Sequence, residues 1–196
     1  MRKFGVVLGP YRFEIPWIFF DGRPRANLPS CEFHKDKLAI QFRFKGKFLD
    51  ESGDVDHSFD GSDLDIFKYS DLIKVQAIQF YKITPELYSD PANRHRNTIR
   101  AMTPAGSVRK INGLEEIRLG WAAGEGTDWY LNEEKTEAFI SCGFVTLCTG
   151  FLNLRDLRLT AHITLKEEAI GEVRAIIVAL RSLLSEWRTY PLGAAK

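Results

Sequence analysis

Two hydrophobic periods meet in the last third of the chain, and their junction limits the fold more than any other feature. Leu157, Leu159, Ala161, Ile163 and Leu165 alternate with Asp156, Arg158, Thr160, His162 and Thr164. A period of two marks a strand with one face buried. Directly after it, Ile170, Val173, Ile176, Ile177, Leu180, Leu183, Leu184 and Trp187 fall at steps of three, three, one, three, three, one and three. That spacing lays them along one stripe of an α-helix. A strand that feeds a long amphipathic helix needs a sheet to receive the stripe. No residue on either element stands out as catalytic.

The earlier two thirds of the chain supply the strands for that sheet. Residues 4–8 and 11–15 read as a short pair around Gly9-Pro10. In residues 37–49, Leu38, Ile40, Phe42 and Phe44 point one way and Ala39, Gln41, Arg43 and Lys45 the other. Ile73, Val75 and Ala77 form a strand whose phase slips at Ile78 and Phe80, which predicts a β-bulge near Ala77-Ile78. Residues 84–97, with Pro85 and Pro91, read as a polar excursion. Asn112-Gly113 separates two short strands and is the strongest hairpin signal present. Residues 129–131 and 138–142 predict a second hairpin, and residues 144–148 and 151–154 two more short strands. The expected class is α+β: a twisted, largely antiparallel sheet of six to nine strands, with the long C-terminal amphipathic helix packed on one face. Residues 1–196 read as a single domain, a usual size for one.

Composition narrows the function. The 27 basic and 26 acidic residues leave a net charge of +1, so no global attraction to nucleic acid or anionic lipid is expected. No run of about 18 apolar residues offers a membrane span. Residues 4–8 are too short for the apolar core of a secretory signal. Three cysteines, Cys31, Cys142 and Cys148, without such a signal favour free thiols and a cytoplasmic location. Pairing of Cys142 with Cys148 stays open, should they flank a tight turn.

Residues 50–65 hold seven carboxylates in sixteen positions. Asp56, Ser58 and Asp60 with Gly61 imitate the start of a calcium loop. The twelfth position, where a bidentate glutamate belongs, is Phe67, and the match fails. What remains is a solvated loop or an acidic surface for a basic partner, with Asp54, Asp56, Asp60, Asp63 and Asp65 as the candidate contacts. Lys35, Lys37, Arg43, Lys45 and Lys47 around one strand, and Arg94, His95, Arg96 and Arg100 in the excursion, read as solvated faces. His34, His57, His95 and His162 show no metal-ligand spacing with one another or with a cysteine. There is no nucleophile elbow and no phosphate-cradling glycine loop. Trp121 and Trp129 bracket the Gly124–Gly126 segment, where exposed aromatics would anchor a partner and buried ones would close the end of the core. No cofactor or metal is expected.

The stretch from Trp129 to Arg188 resembles bacterial toxin-immunity proteins, including the cognate inhibitors of type VI secretion effectors. The resemblance is carried by EAFISC at 137–142, Cys148, LRLTAHI at 157–163 and the closing helix AIGEVRAIIVALRSLLSEWR at 169–188. The opening segment FGVVLGPYRFEIP also fits small proteins of that kind. The resemblance implies a non-enzymatic protein that binds and occludes a cognate bacterial toxin. It carries over no catalytic residues. The readings from other classes are a small enzyme whose site is assembled from distant loops, and a phage-encoded or accessory structural protein.

Overall fold

The computed structural model describes residues 3–20, 33–34, 37–44, 71–80, 108–121, 124–133, 135–143 and 146–189. Two sheets and one long helix enclose a shared hydrophobic core. The larger sheet has eight strands. They are β4 (Lys37–Arg43), β5 (Leu72–Phe80), β6 (Val108–Ile111), β7 (Leu114–Trp121), β8 (Gly124–Glu133), β9 (Thr136–Cys142), β10 (Leu147–Leu154) and β11 (Leu159–Lys166). Their spatial order is β4-β5-β11-β10-β9-β8-β7-β6. Every neighbouring pair is antiparallel. Six consecutive strands thus form a meander, and its last member returns to pair with β5.

The smaller sheet joins the two ends of the chain. β1 (Lys3–Leu8) pairs with β2 (Tyr11–Pro16), β3 (Phe33–His34) lies parallel to β1, and β12 (Arg188–Thr189) pairs with β2. Phe4, Val6, Leu8, Phe13 and Ile15 from this sheet enter the same core as the larger one. Phe20 bridges to Ile40, and Phe19 meets Trp187 edge-on at 4.7 Å between ring centres.

The helix expected from the sequence is present. Glu167–Glu172 winds as a 3-10 turn and continues into α1 (Val173–Trp187). Ile170, Val173, Ile176, Ile177, Leu180, Leu184 and Trp187 are buried, and Leu183 is half-buried against the core. The sheet face that receives them carries Leu159, Ala161, Ile163 and Leu165 of β11, all fully buried.

Three local expectations shift. The last strand begins at Leu159 rather than Leu157, because Arg155–Leu157 forms a 3-10 turn closed by Arg158 in the left-handed region at φ 52°. The bulge falls at Gln76: His162 opposes Ala77 while Ile163 opposes Val75. Residues 147–154 form one strand rather than two fragments. Gly150 lies inside it so close to β9 that an added Cβ would come 2.2 Å from the Phe139 carbonyl oxygen. Glycine here is an adaptation to close backbone approach, not a strand break. The Asn112-Gly113 hairpin is as expected, with φ of 51° and 81°, the two positive values of a type I′ turn.

The cysteine reading is corrected. Cys142 and Cys148 face each other on β9 and β10, with Cα atoms 4.2 Å apart, and form a disulfide. Their six-residue separation puts them in register across the hairpin. Both are buried in the core, so this bond staples two central strands from inside.

Candidate functional site

Asp54, Asp56, Asp60, Asp63 and Asp65 lie outside the described residues, as do His57 and His95. Trp121 ends β7, paired with Gly124, while Trp129 sits opposite Glu116. The two tryptophan positions are five register steps apart, about 17 Å along the strand. Trp129 opposes Ile140 on its other side and is half-buried against the core, with its indole Nε1 buried and lacking a hydrogen-bond partner. The Gly124–Gly126 segment lies within β8, which begins at Gly124.

His162 stacks on Phe151, with ring centres 4.7 Å apart and 16° between planes. Burial pushes its imidazole below the ordinary value of 6.5. The unfolded chain therefore binds the proton more readily than the fold does. Stability contributed by the neutral ring is complete above about pH 6.5 and falls on acidification toward the lower folded value. Urea unfolding at pH 7 and pH 5 is expected to show a smaller acid loss in His162→Gln than in the parent chain. Equal losses would assign the acid sensitivity to other groups.

A polar row crosses the sheet on the face of His162. Gln41, Lys74, Thr164, Thr149, Ser141 and Asp128 are successive cross-strand neighbours from β4 to β8. Gln41 is fully buried, and both its amide atoms and the Thr164 hydroxyl lack a hydrogen-bond partner. Near the edge, Arg43 Nε donates to both Asp71 carboxylate oxygens at 2.9 and 3.1 Å. Among the described residues no cluster of His, Cys, Asp or Glu is able to hold a metal ion.

The other constellation lies where α1 passes the β8–β9 turn. Arg174, Val178 and Arg181 follow at i, i+4 and i+7, a stripe beside the buried one. They line a cleft of about 450 Å³ with Glu133, Lys135, Thr136 and Ile177. Arg174 pairs with Glu133 at 2.8 Å. Arg181 grips Asp156 with both terminal nitrogens, at 2.9 and 3.2 Å. Its Nη2 also donates to the Lys135 carbonyl at 2.7 Å and the Thr136 hydroxyl at 2.6 Å. The same carbonyl accepts the Arg155 N–H at 3.0 Å, and the Arg155 guanidinium pairs with Glu137. The turn is thereby tied to both the helix and the β10–β11 connection. From the third side comes the Asn112-Gly113 turn. A Cβ on Gly113 would fall 2.5 Å from Arg174 Nη2.

Sequence reasoning missed this cleft. Its signal was present in Val178, an aliphatic residue off the core stripe and between two arginines on the polar flank. The arrangement offers fixed cations around an apolar floor. It is suited to holding a partner by charge and shape.

No family model and no curated protein matches this sequence. A solved structure shares the fold: an immunity protein of the Stenotrophomonas maltophilia type IV secretion system. The likeness has a TM-score of 0.57 at 11% identity and covers 96% of this chain and 94% of that one. The resemblance drawn from the sequence named type VI inhibitors, whereas this structure belongs to a type IV system. Both are described as immunity proteins. Among the described residues no helix is long and apolar enough to cross a membrane.

Proposed function

We propose that this chain is a non-enzymatic immunity-type inhibitor that binds a cognate protein toxin and occludes its active site. The observation that carries the reading is the fold shared almost end to end with a secretion-system immunity protein. The whole chain acts as one unit, in keeping with a core common to both sheets and the helix. Nucleic acid and membrane are not its partners, in line with its balanced charge. The buried Cys142–Cys148 bridge removes the free-thiol argument for a cytoplasmic location. It supports a meeting with the toxin in an oxidising compartment, where such bonds persist.

Immunity genes lie beside the genes of their toxins, so the neighbouring gene supplies the test. Co-expression of this chain should restore growth to cells poisoned by that product. Unrelieved poisoning in the presence of soluble, folded chain would count against the reading.

The acidic segment is the proposed steering element, with Asp54, Asp56, Asp60, Asp63 and Asp65 facing a basic toxin surface and Trp121 and Trp129 as further contacts. On this reading, converting the five aspartates to asparagine should leave the melting temperature unchanged, because carboxylates reserved for a partner contribute little to stability. Association with the toxin should slow and lose salt dependence, since steering acts before contact. An unchanged rate at low salt would make residues 50–65 a simple connector.

A further inference from the structure

We propose that the cleft between the β8–β9 turn and α1 is a docking site for a partner segment that presents a carboxylate beside an aliphatic side chain. It rests on the inhibitor reading only in naming the toxin as the owner of that segment.

Composition is the first argument. Val178 and Ile111, at 66% and 41%, are the large hydrophobic side chains left exposed among the described residues. Both flank Arg174. Val178 lies one turn along the helix, and Ile111 precedes the Asn112-Gly113 turn that rests against the guanidinium. An arginine beside exposed apolar side chains, within a polar rim, is a composition found at protein interfaces. A simple solvated helix face would carry charged or amide side chains at those positions instead.

Preorganisation is the second. Arg181 is fixed by four contacts to Asp156, Lys135 and Thr136. The β6–β7 tip is a tight two-residue turn. The walls are therefore in place before a partner arrives, and little ordering opposes binding.

Charge decides the occupant. Among the described residues the cleft gathers Lys135, Arg174 and Arg181 against Glu133 and the adjoining Asp156. Arg174 is matched by Glu133 and Arg181 by Asp156. The Lys135 ammonium, on an exposed residue at the mouth, has no ion-pair partner among the described residues. One incoming carboxylate completes the set. The Ile177 and Val178 floor calls for an apolar group next to it, which a bare anion does not supply.

The test uses the full chain, isotope-labelled for nuclear magnetic resonance and titrated with blocked tripeptides. Acetyl-Leu-Asp-Leu-amide should give saturable shifts at the Val178 and Ile111 methyls and the Lys135 and Thr136 amides. The Asn and Lys analogues should bind more weakly, by about two- to fivefold or more. Lys135→Glu, an exposed change, should reduce the Asp peptide's affinity by a similar factor, and Val178→Asp should weaken all the peptides. No saturable shift, or equal affinity for the Asp and Lys peptides, would overturn the proposal. So would the same shifts from sodium acetate alone, which would make the cleft an ion site. No toxin enters this titration. A blank result strikes the cleft alone and leaves the inhibitor reading to its own experiment.

Discussion

Leu180→Ala is expected to lower the unfolding free energy by about 2–5 kcal/mol. Leu180 is fully buried in the middle of α1, and Ile176, Ile177 and Leu184 are buried along the same stripe. The helix stripe shares the hydrophobic core with the large sheet, and the helix touches β2 of the small one. A missing side chain there opens a void between three elements that cannot all move inward. The loss thus combines the transfer term of the deleted atoms with a cavity term. Ser182→Ala, on the exposed side of the same helix, should change stability by less than about 0.5 kcal/mol. Urea unfolding of the two variants checks both. A shift below about 1 kcal/mol for Leu180→Ala would mean that the helix lies peripheral to the core.

Removing the Cys142–Cys148 bridge is expected to cost about 2 kcal/mol. The closed loop is short, which keeps the entropic gain from the cross-link modest. Both sulfurs are buried, so alanine is the better replacement; serine would bury two hydroxyls and confuse the result. The oxidised chain should unfold at higher urea than both Cys142→Ala/Cys148→Ala and the parent refolded under reductant. Reductant added to the native protein should act slowly, because it must await opening of β9 and β10. Equal midpoints for oxidised and reduced chains would show that the thiols are not bridged.

Features encoded locally were legible in the sequence. The Leu159–Leu165 alternation, the Ile170–Trp187 stripe, the slip near Ala77 and the Asn112-Gly113 turn all announce themselves within a few residues. Features made by pairing between distant segments were not. β12 is two residues long and β3 likewise, too short for any period to show. Gly150 looks like punctuation in sequence, and only its approach to Phe139 reveals a strand position. The disulfide depends on register across a hairpin, which a six-residue spacing permits but does not specify. The cleft draws on Lys135 of the β8–β9 turn and Arg174 of α1, positions the chain separates by more than a whole strand. Trp129, read in the sequence either as a partner anchor or as a closure of the core's end, is half-buried against the core.

Calorimetric titration of this chain into the product of the neighbouring toxin gene, with the toxin's own activity followed in parallel, tests the central claim most directly. The account predicts saturable binding at one-to-one stoichiometry with a Kd on the order of nanomolar. Toxin activity should fall in step with the bound fraction, and the toxin should be recovered chemically unchanged. Absence of binding, or a saturated complex whose toxin keeps full activity, would contradict it.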